Sequence, residues 1–215
     1  MYNVKRNNFL IREDRPTVVY TPAKVSEFLF DILNKEVCKE STIFDPCVGG
    51  GSLIAPWKNV GYSCRFFDIT EQGFTGTEIF DYLLLTREDM DFTPDLVLIN
   101  PPFNTTEELR RTTRGMGFGG RPLIPEVFLQ KTLEIFGRNI KIALFTPYGF
   151  RLNVDQNSKR LCKSLDGIYP EISSIVSLPK DIYEKENVKF HSEILLFNTK
   201  KTKPHYFIDF RVKEK

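Results

Sequence analysis

The chain reads as an α/β protein built on a mostly parallel sheet with helices on both faces. Three observations predict this. Short apolar runs alternate with segments of helical spacing. Runs such as Leu96-Val97-Leu98-Ile99 are apolar without alternation, as in strands buried on both faces. Each polar motif follows the end of a run, and such sheets bind ligands beyond the carboxyl ends of their strands.

Residues 1–19 are polar and mixed in charge, and read as an N-terminal arm. Tyr20-Thr21-Pro22 then opens a helix: Thr21 can cap it, Pro22 suits its first turn, and Val25, Phe28, Leu29, Ile32 and Leu33 share one face. The first strand is Thr42-Ile43-Phe44, ending at Asp45-Pro46. A glycine turn, Cys47 to Leu53, leads towards a helix that Pro56 should shorten. The second strand, Ser63 to Phe67, ends at Asp68, and Glu78 to Tyr82 forms a third acidic end. The fourth, Asp95 to Ile99, ends at Asn100. Glu126 to Phe136 has helical spacing. Lys141 to Phe145, Ile172 to Leu178 and Glu193 to Phe197 are the fifth to seventh strands, and Tyr206 to Phe210 can add an edge strand. No internal repeat or low-complexity linker divides residues 20–215, so they are expected to form one domain.

Composition narrows the function. With 41% hydrophobic and 27% charged residues, the chain can build a sizeable core. A net charge of +2 is too near neutral to indicate a nucleic-acid partner, so any basic surface must come from uneven distribution. No apolar run approaches the roughly 18 residues of a membrane span, and the N-terminus lacks the apolar core of a signal peptide. Cys38, Cys47, Cys64 and Cys162 lack CxxC spacing, which argues against zinc and for reduced thiols in a cytoplasmic protein. His191 and His205 are too few for a multi-histidine metal site.

Asn100-Pro101-Pro102-Phe103 is the most informative stretch. An Asn acceptor beside two prolines sits on a stiff backbone, the Pro101 carbonyl offers a second acceptor, and Phe103 adds a flat apolar face. Two acceptors and a ring suit the exocyclic amino group of a planar base. Taken alone, the tetrapeptide is equally a rigid turn. Gly49, Gly50 and Gly51 let a backbone approach a ligand closely, with Asp45 anchoring the turn. No Lys follows in phosphate-loop position, which argues against ATP or GTP. Asp68 stands where nucleoside-binding sheets hold ribose hydroxyls, and Ile69 can cover an adenine face. Asp81 can accept from an adenine amino group, with Tyr82 packing on the ring. Each acid alone is also readable as a cap or a solvated loop residue; their order carries the argument.

This order resembles the catalytic domain of S-adenosylmethionine-dependent DNA methyltransferases that make N6-methyladenine. It is most similar to the methylation subunits of type I restriction–modification systems. The likeness covers roughly Tyr20 to Phe197 and extends through Ala143 to Pro147, Val176 to Pro179 and Ser192 to Phe197. It implies a Rossmann-like class I methyltransferase fold, with a seven-stranded sheet and an antiparallel last hairpin. It implies S-adenosylmethionine as cofactor, with Tyr20, Thr21 and Pro22 at its methionine end. Asp45, Pro46, Gly49 and Gly51 would form the cofactor loop, Asp68 and Ile69 the ribose site, and Asp81 and Tyr82 the adenine site. Asn100, Pro101, Pro102 and Phe103 would be the catalytic motif, with Asn100 also lining the cofactor. The glycine loop departs by placing Cys47-Val48 where type I subunits usually have Ala-Cys.

The expected substrate is DNA. Between Phe103 and Glu126, glycines interleave with Arg110, Arg111, Arg114 and Arg121, as suits phosphate contacts. By resemblance, Phe190 is a candidate to pack on the target base, whereas His191 reads as a turn residue and Trp57 as core. No separate target-recognition domain is expected after the last catalytic strand. Low sequence specificity, or a separate specificity subunit, is therefore expected, in a bacterial or phage-encoded cytoplasmic enzyme with no membrane partner. RNA-base and protein-glutamine methyltransferases share the tetrapeptide and remain alternatives. A non-catalytic subunit or decoy is another, against which the intact tetrapeptide and the three acids argue.

Overall fold

The structure, a computed structural model, describes residues 20–103, 123–148, 150, 169–179, 182–183 and 191–208. The N-terminal arm, Arg110, Arg111, Arg114, Arg121, Cys162 and Phe190 lie outside the described residues.

The strands are β1 (Thr42–Asp45), β2 (Ser63–Asp68), β3 (Glu78–Ile79), β4 (Leu96–Ile99), β5 (Lys141–Pro147), β6 (Ile172–Leu178), β7 (Ser192–Phe197) and β8 (His205–Phe207). They form one sheet in the order β3-β2-β1-β4-β5-β7-β6-β8. All described neighbours pair in parallel except β7, which runs antiparallel to both β5 and β6. The fold class and the antiparallel last hairpin agree with expectation. The sheet has one strand more than seven, because β8 adds to β6 at the edge.

Two apolar layers sandwich the sheet. Above it lie α1 (Ala23–Leu33) and α2 (Ala55–Val60), whose Val25, Leu29, Leu33 and Trp57 pack on Leu96, Leu98, Phe145 and Ile194. Below it lies α3 (Ile124–Phe136), where Val127 and Leu129 meet Phe44, Val97, Ile99 and Leu144. Alternate residues of one strand feed opposite layers, which is why the central strands are apolar throughout.

Three local expectations change. Thr21 makes no capping bond: Pro22 is the N-cap residue of α1, in extended conformation, and the Thr21 hydroxyl is used elsewhere. Pro56 starts α2 rather than shortening it, because the first helical turn has no use for its missing N–H. α2 is short because Gly61, at φ 87°, turns the chain out of the helix. The third strand stops at Ile79, since Asp81 caps a 3-10 turn over Tyr82–Leu84 by accepting from the Leu83 N–H at 3.1 Å.

Candidate active site

β1, β2 and β4 lie side by side and point the same way, so Asp45, Asp68 and Asn100 emerge at one edge of the sheet. The glycine turn after β1 is tied down on both sides. Asp45 accepts the Cys47 N–H at 3.0 Å, and the Phe67 carbonyl accepts the Val48 N–H at 2.9 Å. Asp68 then takes the Gly49 N–H at 2.8 Å and the Thr70 N–H at 3.1 Å. Each carboxylate oxygen of Asp68 keeps lone-pair capacity for a further donor.

Gly49 and Gly51 adopt φ of 51° and 81°, the left-handed region that favours glycine. Gly51 has a second reason to be glycine. A Cβ there would stand 2.2 Å from the Phe74 ring, which leans over the turn from the β2–β3 connection. Phe74 packs on Phe66 and lies under the Lys58 ammonium, so it cannot swing away without losing both contacts. On the other side, the Tyr20 ring covers Gly49 and Gly50, and its hydroxyl donates to Gln72 Oε1 at 3.3 Å. The turn is thus a backbone cradle with aromatic walls.

Electrostatics follow from burial. Asp45 is 1% exposed. Loss of hydration pushes its carboxyl up to about 7; the Cys47 N–H works against this and the neighbouring Asp68 charge with it. Burial also holds the Cys47 thiol well above its ordinary range, helped by Asp45 and Asp68 and opposed by the Asn100 backbone N–H, which bonds its sulfur. That contact joins the glycine turn to the tetrapeptide.

The Asn100 side chain is held from the opposite direction. Its Nδ2 donates to the Thr21 hydroxyl at 2.9 Å, across 79 residues of sequence, and Thr21 is buried. Donation through Nδ2 turns Oδ1 away from Thr21, since the amide is planar. Pro101 is buried, Pro102 half-buried, and Phe103 rests half-buried against the upper core.

Among the expected site residues, the structure brings Tyr20, Thr21, Pro22, Asp45, Pro46, Gly49, Gly51, Asp68 and Asn100–Phe103 to this edge. Ile69 follows Asp68 and is 62% exposed, an apolar surface open to solvent. Asp81 stands one strand further out. Tyr82 departs from expectation. Its ring is 2% exposed, packs on Phe44 and Phe128 in the lower core, and meets Thr132 Oγ1 at 3.0 Å through its hydroxyl. Packing needs that ring, so no face is left for a ligand. Gln72, Phe74 and Tyr148 are additions that sequence reasoning missed. Tyr148 alone had a visible signal, an aromatic just after a proline at a strand's carboxyl end, much as Phe103 follows Pro102 beyond β4. Among the described residues no cluster of three His, Cys, Asp or Glu can hold a metal ion, and no helix is long and apolar enough to cross a membrane.

Residues 12–79 match the family described as N-6 DNA Methylase, a stretch holding the cofactor-side motifs and ending before Asn100. No curated protein sequence matches the chain. Similar solved structures include a modification subunit of a type I restriction enzyme from Vibrio vulnificus, with TM-score 0.62 and 17% identity over 92% of this chain and 48% of that one. A type I restriction-modification methyltransferase subunit from Streptococcus thermophilus gives TM-score 0.59 and 20% identity, over 88% and 46%. A class I S-adenosylmethionine-dependent methyltransferase from Listeria monocytogenes gives TM-score 0.60 and 14% identity, over 87% and 64%. The chain spans about half the length of the two restriction-system subunits and under two thirds of the third protein. It therefore has the fold of the class I S-adenosylmethionine-dependent methyltransferases and resembles the N6-adenine DNA methyltransferases in particular.

Proposed function

We propose that this chain transfers a methyl group from S-adenosylmethionine to the N6 amino group of adenine in DNA. It acts with low sequence specificity or alongside a separate specificity subunit. The observation that carries this reading is the Asn100 amide, fixed by Thr21 on one strand end beside a glycine cradle on the next. A cofactor with a nucleoside and an amino-acid arm fits the residues present: a backbone cradle that a Cβ at Gly51 would fill, two acids at neighbouring strand ends, and Tyr20 over the turn.

When bound, S-adenosylmethionine supplies an electrophilic methyl group on a sulfonium. Asp68 would accept from ribose hydroxyls and Ile69 would cover the adenine. Asp45 sets the turn and balances the positive charge of the methionine end, for which its carboxylate form is needed. The target amino group is a poor nucleophile because its lone pair is delocalised into the ring. Asn100 Oδ1 and the Pro101 carbonyl accept its two hydrogens, which localises the lone pair and aims it at the cradle. Phe103 stacks on the base, which must leave a duplex to reach it.

The experiment is tritium transfer from labelled cofactor to unmethylated DNA, to RNA and to bulk protein. The expected result is N6-methyladenine in DNA, lost by at least about a hundredfold in Asn100→Ala while cofactor affinity stays within about twofold. Label found only in RNA or only in protein would move the acceptor to that class. Equal turnover by wild type and Asn100→Ala would remove Asn100 from the chemistry.

A further inference from the structure

Tyr148 follows β5 at its carboxyl end and is 63% exposed, although nothing in the core requires it there. Its backbone is held firmly. The Tyr148 N–H donates to the His191 carbonyl at 2.9 Å, and the preceding Pro147 pairs with Ser192 in the β5–β7 ladder. The Tyr148 and His191 rings lie 6.0 Å apart at 57°, forming an open aromatic corner on a fixed backbone. Its place on the sheet gives the corner meaning. β4 pairs with β5, Ile99 opposite Leu144, so Asn100 and Tyr148 leave the same edge on adjacent strands. Neighbouring strands are about 5 Å apart, and by this register Tyr148 lies three residues, about 10 Å, beyond the position level with Asn100. His191 immediately precedes β7, the next strand along. Among the described residues the other exposed aromatics are engaged or distant: Tyr20 on the glycine turn, Phe80 against Phe67, and Phe207 on the outermost strand.

We propose that Tyr148, flanked by His191, is a stacking shelf for an unpaired base next to the one held at Asn100. This rests on the reading of the chain as a nucleic-acid methyltransferase. A flat ring presented to solvent beside a base-accepting motif suits a second planar ring better than an extended peptide, which needs an unpaired strand edge or a groove. Stacking of this kind accepts any base, which agrees with low sequence specificity.

The probe is a single-stranded oligo-dA, with binding and methyl transfer measured on the full chain. Tyr148→Ala should weaken binding about tenfold and raise KM for the oligonucleotide, with kcat and cofactor affinity little changed. Tyr148→Phe, which keeps the ring face, should retain most of the affinity. Direct contact is read with Tyr148→Trp. The chain has one tryptophan, Trp57, which is fully buried, so quenching of the introduced indole by oligo-dA reports on the shelf itself. If wild type and Tyr148→Ala methylate and bind alike, or the indole is not quenched, the shelf is wrong while the methyl-transfer reading stands. If wild type neither binds nor methylates any nucleic acid, both fall.

Discussion

Thr21 and Asp45 carry the clearest consequences for single residues. Thr21 holds the amide proposed to accept the target amino group, so Thr21→Val should lower kcat about tenfold, the worth of one buried hydrogen bond, while Thr21→Ser restores it. An equal loss in both variants, or a loss confined to cofactor affinity, would mean that Thr21 does not orient Asn100. Asp45 makes stability depend on pH. Its native value is about 7 against 3.8 for an unperturbed carboxyl. Between those values the native state keeps a proton that the unfolded chain has lost, so stability falls as pH rises from about 4 to about 7, then levels off. The full difference is on the order of 4 kcal/mol. Thermal melts of the cofactor-free protein at pH 5 and pH 8 test this. Asp45→Asn should melt with a smaller difference between the two than wild type. Asp45, Asp68 and Asn100 were legible as strand-end residues. The role of Thr21 was not, because a Thr before Pro reads locally as a helix cap, and its true partner lies 79 residues away.

The glycine turn is the element whose geometry is most constrained. Gly51→Ala must place a methyl group into the Phe74 ring at a positive φ. The expected cost is about 2–4 kcal/mol in chemical denaturation, with cofactor affinity lost in parallel. In the double variant with Phe74→Ala, the clash disappears and the backbone strain stays. The pair should therefore be non-additive, and additive losses would show that Phe74 does not press on the turn. Other elements were read well or badly for identifiable reasons. The strands β4 and β6 fell within a residue of their bounds, β4 because continuous burial leaves an unbroken apolar run and β6 because its burial alternates. The run from Glu78 to Tyr82 misled because Tyr82 is apolar enough to extend a strand, whereas the Asp81 side chain ends it by capping a turn. Phe74 and Gln72 were invisible, since residues in a connecting loop declare no partner in sequence.

At the scale of the molecule, strand direction decides where chemistry is possible. The parallel strands bring the acids and Asn100 to one edge, and the antiparallel β7 delivers His191 there as well. The sequence also offers, after Phe103, four arginines as proposed phosphate contacts. Replacing Arg110, Arg111, Arg114 and Arg121 with Gln should reduce the salt slope of DNA binding, by roughly 0.9 for each phosphate contact removed; an unchanged slope would exclude such contacts. By itself, the sequence determined the α/β class, most strand positions and the ordered motifs, because burial periodicity and strand-end chemistry are local. Only the tertiary structure decided that Thr21 orients Asn100, that Phe74 presses on Gly51, that Tyr82 belongs to the core, and that Tyr148 stands exposed beside the acceptor motif. Those contacts join residues far apart along the chain, and their partners are fixed only once the sheet sets which strand ends are neighbours.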